Sequence, residues 1–143
     1  MEMNSLKPTD FDFWLNVKTR WGDMDSLGHL NHTVYLSYME TARVSTYMDL
    51  GYSGIRNDTD ESTILASMEV HYLKQVNHPA SLNVGHRICR VGKKSFDTLS
   101  AIFNNKNDEL LCTALFKLVA FNYETNQTII VPEIIKRHCR PFE

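Results

Sequence analysis

The hydrophobic period of this chain switches from strand-like to helical and back again. One long helical segment is followed by four consecutive strand-like runs separated only by short turns. From His32 to Leu50 the apolar residues fall at helical spacing, with Tyr35, Tyr38, Met39, Ala42 and Leu50 near one face and Leu36 and Tyr47 widening it. The apolar arc is broader than a surface helix needs, which predicts a helix lying largely inside the concave face of a sheet. Asn31 suits the N-cap, where its side chain can accept from a free first-turn amide, and Gly51 suits the C-terminal stop.

The strand-like runs are Ile64 to Val76, Ser81 to Val91, Ser95 to Asn104 and Leu110 to Asn122. The breaks between them are Asn77-His78-Pro79, Gly92-Lys93-Lys94 and Asn104 to Asp108. In the last run Leu111, Thr113, Leu115, Lys117, Val119 and Phe121 alternate with a second, largely apolar face, as expected of a strand covered on both sides. A further strand precedes the helix, from Phe11 to Trp21, with Phe11, Phe13, Leu15 and Val17 on one face. Between it and the helix the segment Gly22 to Asn31 is a loop, and a second polar loop runs from Ser53 to Thr63. Pro132 can open a short terminal helix at its first position. Consecutive strands joined by short turns, with one helix, make an antiparallel α+β layer structure. The 143 residues suit one domain spanning 1–143.

Composition excludes more than it assigns. A formal net charge of -2 provides no electrostatic footprint for nucleic acid. The N-terminal stretch carries acids early and lacks the apolar region of a secretory signal, and no run approaches the roughly 20 apolar residues of a membrane helix. Cys89, Cys112 and Cys139 are too widely spaced for a zinc knuckle or a disulfide framework. A reduced, cytoplasmic location is the expectation. Gly51-Tyr52-Ser53-Gly54 is not a nucleophile elbow, and no phosphate-binding glycine loop occurs.

The chemistry concentrates in Arg20-Trp21-Gly22-Asp23-Met24-Asp25-Ser26-Leu27-Gly28-His29-Leu30-Asn31-His32, which runs into Tyr35 and Glu40-Thr41-Ala42-Arg43. A carboxylate at a strand end, just before a helix N-terminus, can act as a base or nucleophile beside free amides that carry the positive end of the helix dipole. With Asn31 as cap, the His32 backbone N–H is such a donor. Asp23 and Asp25 could equally be an ordinary pair of turn-forming aspartates. His29 and His32 beside them could bind a metal, but they flank the cap rather than share a helix face, so no metal is expected.

This segment resembles the N-terminal signature of the 4-hydroxybenzoyl-CoA thioesterase-like hotdog family, and Gly92-Lys93-Lys94-Ser95-Phe96 is similar to that family's Gly-x-Lys-Ser-Phe turn. The resemblance implies a hotdog domain, a curved antiparallel sheet of about five strands around a central helix. It also implies hydrolysis of an acyl-CoA to free CoA and a carboxylic acid. It places Asp25 at the catalytic carboxylate and Asp23 in a structural role, and it assigns the His32 amide to the thioester carbonyl. A helix glutamate serves some hotdog thioesterases, which makes Glu40 the second candidate. Lys93, Lys94 and Ser95 are candidates for the CoA phosphates, with Arg87 and Arg90 behind them. Coenzyme A is then part of the substrate and no resident cofactor is expected. A homodimer or homotetramer with CoA at a subunit interface is also implied. Two rivals stand beside hydrolysis: a hotdog dehydratase acting on acyl thioesters, and a non-catalytic acyl-CoA or acyl-carrier-protein binding module.

Overall fold

A computed structural model of the chain describes residues 1–52 and 61–143. The expected polar loop from Ser53 therefore falls mostly outside the described residues. The elements are β1 (Phe13–Lys18), α1 (His32–Leu50), β2 (Glu61–Tyr72), β3 (Ser81–Val91), β4 (Ser95–Asn104), β5 (Leu110–Asn122), β6 (Gln127–Thr128) and α2 (Glu133–Lys136). The main strands form one antiparallel sheet in the order β1-β3-β4-β5-β2, with β6 added to β5. The sheet curls around α1, which is the hotdog architecture.

The ends of α1 are set locally. Asn31 caps it, its Oδ1 accepting from Thr33 N–H at 3.0 Å and from the Thr33 hydroxyl at 2.9 Å. At the other end Gly51 takes φ +76°, a left-handed conformation that glycine adopts without a Cβ penalty. There Gly51 N–H donates to Met48 O and Tyr52 N–H to Tyr47 O, while the Tyr47 and Tyr52 rings meet edge-on at 4.9 Å. That pairing is a Schellman motif with its hydrophobic contact. Tyr35, Tyr38, Met39, Ala42, Thr46 and Tyr47 are all buried, so the wide apolar arc is used as the sequence predicts.

The helix packs over β1, β3 and β4, toward the β1 side of the sheet. Leu82 and Val84 of β3, Ile102 of β4, and Cys112, Ala114 and Phe116 of β5 lie against it. Strand β2 is left at the edge with Leu65, Met68 and Tyr72 exposed. The convex face is covered by the chain's own ends: Leu6 and Phe11, with Met3 and Phe142, close over Leu99, Ala101 and Phe103. Covered on both faces and paired on both edges, β5 is the doubly buried strand that its sequence implies.

Several boundaries differ from expectation. Strand β1 is shorter than Phe11 to Trp21, because Trp21–Asp23 turns into a 3-10 helix and Phe11 leaves the strand for the convex face. There Phe11 fills the space above Gly85, where a Cβ would lie 2.7 Å from its ring. Strand β2 spans Glu61–Tyr72 rather than Ile64 to Val76. Beyond it Leu73 and Lys74 N–H both donate to Leu111 O, and Val76 O accepts from Leu30 in the loop before α1. Pro132 is the N-cap of α2 rather than its first residue.

Candidate active site

The loop between β1 and α1 is held by its aspartates, and the two do different things. Asp23 is buried. Its Oδ2 accepts from the Tyr38 hydroxyl at 2.5 Å and from Arg20 N–H at 3.1 Å, while Arg20 Nη2 donates to Oδ1 at 3.2 Å. Its own carbonyl accepts from Asn31 N–H at 3.0 Å, which ties the loop start to the helix cap. The Tyr38 hydroxyl, followed by the Arg20 contacts, holds the Asp23 carboxyl below its ordinary range against the opposing effect of burial. Asp23 is thus buried and fully engaged within the loop, at the position to which the family resemblance gives a structural role.

These bonds give Asp23 a pH signature. A carboxylate with a lowered folded pKa contributes stability above its unfolded pKa and loses it as pH falls through the folded value. Tyr38→Phe, which removes the shortest bond, should cost about 1–3 kcal/mol at neutral pH. Chemical denaturation repeated from neutral to strongly acid pH should show a smaller acid-side loss in the variant than in the wild type.

Asp25 is exposed and shapes the turn through one oxygen. Asp25 Oδ1 accepts from Leu27 N–H at 2.8 Å and from His29 N–H at 3.1 Å, and Asp25 N–H donates to His29 O at 2.7 Å. Gly28, at φ +81°, lets the chain reverse there and donates to Asp25 O. The His29 and Leu27 amides pull the Asp25 carboxyl below its ordinary range, with smaller help from the His29 and His32 rings. Asp25 is thus ionised at neutral pH. Its Oδ2 has no partner among the described residues.

Asp25 opens onto a cavity of about 360 Å³ lined by Leu27, His29, Leu30, His32, Tyr35, Tyr72, Leu73, Lys74 and Gln75. His32 is the first helical residue after the Asn31 cap, so its backbone N–H has no carbonyl to bond within the helix. Asp25 and His32, the first residue of α1, therefore line one pocket. Its far wall is aromatic: Tyr35 and Tyr72 meet edge-on at 5.2 Å, and the Tyr72 hydroxyl donates to His32 O at 2.8 Å. That bond from the edge strand pins the first turn of α1. Sequence reasoning misses Tyr72, because a tyrosine far along the chain carries no local signal for this contact.

The remaining candidates are distributed differently. Glu40 is exposed on α1 and does not line this cavity, and Arg43 lies over the Phe116 ring at 5.1 Å instead of pairing with Glu40. His29 helps order the loop through its backbone, and its ring lines the cavity. Among the described residues no cluster of three or more His, Cys, Asp or Glu side chains has the makings of a metal site. Lys93, Lys94 and Ser95 form the β3–β4 turn. Ser95 is paired across from Val119 of β5, whereas the cavity lies near Cys112. Seven residues of strand separate the two, about 23 Å, so a single chain does not bring this turn to Asp25. Arg87 and Arg90 are not free for phosphates. Arg87 is buried and donates to three backbone carbonyls, and Arg90 is engaged by Asp97 and Ser95.

Comparison with known proteins agrees with this fold. The model of the thioesterase-like superfamily matches residues 19–138, which include the loop carrying Asp25, α1 and the following strands. The chain belongs to the thioesterase-like superfamily. It is 27% identical over 121 residues to the uncharacterized protein YsmA of Bacillus subtilis, a match covering 85% of this chain and 80% of that one. Among solved structures it superposes on the PA2801 protein of Pseudomonas aeruginosa with a TM-score of 0.81 and 30% identity, covering 87% of this chain and 95% of that one. It also superposes on a thioesterase from Thermus thermophilus, solved with coenzyme A and zinc, with a TM-score of 0.77 and 29% identity, covering 91% of this chain and 98% of that one. No helix among the described residues is long and apolar enough to cross a membrane.

Proposed function

We propose that this protein hydrolyses an acyl-CoA thioester to free CoA and a carboxylic acid. The observation that carries this reading is the shared pocket of Asp25, with one unpaired carboxylate oxygen, and the His32 amide at the start of α1. The His32 N–H donates to the thioester carbonyl and stabilises the negative charge that develops on its oxygen. Asp25 either takes a proton from an attacking water or attacks the carbonyl itself, forming an anhydride that water then opens. In both routes the C–S bond breaks, the thiolate of CoA leaves and takes up a proton, and the acid is released. No resident cofactor takes part. Coenzyme A in the Thermus thermophilus structure supports a CoA thioester as substrate.

The site is completed in a dimer built on the β2 edge. Strand β2 has 12 residues and presents Leu65, Met68 and Tyr72 to solvent. A second copy pairing antiparallel about a two-fold axis there sets the Glu61 end of its β2 beside this chain's Tyr72. The partner's Lys93–Ser95 turn follows, because it lies near Val119, which is paired opposite Ile64. The lysines that a single chain keeps away from Asp25 are thereby delivered by its neighbour, where they meet the CoA phosphates. Replacing Leu65 and Met68 together by Glu should convert the assembly to monomer in light scattering, with turnover falling in step. A wild type that is already monomeric, or a monomeric variant with full turnover, contradicts the composite site.

Thiol release from short, long and aromatic acyl-CoAs tests the reaction itself. Stoichiometric CoA thiol and acid are expected from at least one of them. A dehydratase would alter the acyl chain without releasing thiol, and a binding module would retain acyl-CoA unchanged.

A further inference from the structure

A second polar group of side chains lies on the concave face beyond the Asp25 pocket. His86, Thr98 and Ser100 are fully buried, as is the Tyr47 hydroxyl. Both ring nitrogens of His86 and all three hydroxyl oxygens lack a hydrogen-bond partner among the described residues. So many unpartnered buried polar atoms in one place call for a specific cause. Arg43 joins them from α1. It is half-buried and lies at 5.1 Å over the ring of Phe116, the residue paired with Thr98. No carboxylate of the described residues pairs with it.

The register places this group one to two rows along the concave face from the proposed reaction centre. Across the sheet one row is Val84, Ile102, Cys112 and Tyr72, and Tyr72 lines the Asp25 pocket. The next row is His86, Ser100, Ala114 and Val70, and the third is Ile88, Thr98, Phe116 and Met68. From Tyr72 to Met68 is about 13 Å of strand. On the opposite wall His32, Leu36, Met39 and Arg43 recur at i, i+4, i+7 and i+11 along one stripe of α1, and His32 to Arg43 is about 16 Å of helix. The residues between are apolar: Met39 is buried, Leu36 and Val70 are partly exposed beside it, and Met68 is exposed at the β2 edge. The face that carries the thioester site at one end therefore carries, at the other, a guanidinium unpaired among the described residues.

We propose that Arg43 is a specificity-determining residue and that the preferred acyl group carries a carboxylate at the end remote from the thioester. This rests on the thioester-hydrolase reading. Arg43 takes the remote carboxylate through charge-assisted hydrogen bonds, and the neutral buried hydroxyls and His86 supply further donors beside it. A methyl-ended chain of the same length leaves the guanidinium unpaired beside it, which disfavours it.

The test compares kcat/KM for matched pairs of medium-chain acyl-CoAs that differ only in a terminal methyl or carboxylate. The wild type should favour the carboxylate member. Arg43→Gln should shrink the carboxylate-to-methyl ratio by about tenfold or more, and Arg43→Lys should retain part of it. The ratio is read from one protein preparation, so partial unfolding of a variant cancels. A ratio that Arg43→Gln leaves unchanged, or a wild type that hydrolyses methyl-ended chains and disregards the carboxylate, overturns the proposal while hydrolysis stands. A wild type that hydrolyses neither series overturns this proposal, and the hydrolase reading falls with it when short, long and aromatic acyl-CoAs release no thiol either.

Discussion

Asp25→Asn is expected to lower kcat/KM for the preferred acyl-CoA by about 100-fold or more, since positioned general acid–base groups typically contribute 10²–10⁴-fold. The amide is close in shape to the carboxylate, and its oxygen can still accept the Leu27 and His29 amides that hold the turn. The variant should therefore fold and still bind substrate while losing the basic oxygen that faces the pocket. Glu40→Gln is the paired control. Glu40 is exposed outside the cavity, so its turnover should stay close to wild type. The pH profile gives an independent reading. The reactive form of Asp25 is the carboxylate, and its pKa lies below the ordinary carboxylate range because two backbone amides favour the charged form. Activity should then rise with pH through that low value, and the acid limb assigned to Asp25 should lie below the usual aspartate range. An Asp25→Asn protein with near-wild-type turnover, together with an inactive Glu40→Gln, would reverse the assignment.

The largest expected loss of stability comes from Arg87, far from the reaction centre. Arg87 is 2% exposed on the convex face of β3, where its Nε donates to Arg140 O at 2.6 Å. Its two terminal nitrogens donate to Asp10 O at 3.1 Å and to Pro141 O at 2.8 Å, and the Phe142 ring lies over the guanidinium at 3.6 Å. One side chain thus fastens both the N-terminal segment and the C-terminal tail onto the sheet. Arg87→Ala would leave three carbonyls without this donor and open a cavity beneath Phe142, for a combined loss of about 3 kcal/mol. Arg87→Lys keeps the charge but not the planar fork, and should fall between the two. Urea denaturation of the three proteins measures this, and a loss below about 1 kcal/mol for Arg87→Ala would contradict the account.

What the sequence discloses follows from how local each signal is. The ends of α1 are readable because Asn31 and Gly51 act on amides and carbonyls within one turn of themselves. Strands β3 to β5 are readable because they are covered on both faces and separated by turn-forming residues. Strand β2 is blurred at both ends: its outer edge and part of its concave face are exposed, so apolar alternation does not mark where pairing stops. The division of labour between Asp23 and Asp25 depends on Tyr38, which is 15 residues away, yet the position of the two aspartates before a helix cap already singles them out.

Contacts between distant parts of the chain are not readable in this way. Nothing near Arg87 indicates that residues 140–142 return to cover it, so a basic strand residue reads as a phosphate ligand although its donors are spent on carbonyls. Phe11 reads as part of β1 because it keeps the alternation, but Gly85 gives it a better site on the convex face. Lys93, Lys94 and Ser95 are a recognisable turn, yet only the register of β4 on β5 reveals that the turn lies at the opposite end of the sheet from Asp25.

In the proposed reaction the thioester carbonyl sits between Asp25 and the His32 amide. A crystal structure with a non-hydrolysable acyl-CoA analogue, in which a methylene replaces the thioester sulfur, tests it most directly. The account predicts the ketone oxygen within about 3 Å of His32 N and the Asp25 carboxylate facing the carbonyl carbon, directly or through one water. An analogue bound with its ketone away from both groups, for example beside Glu40, would contradict it.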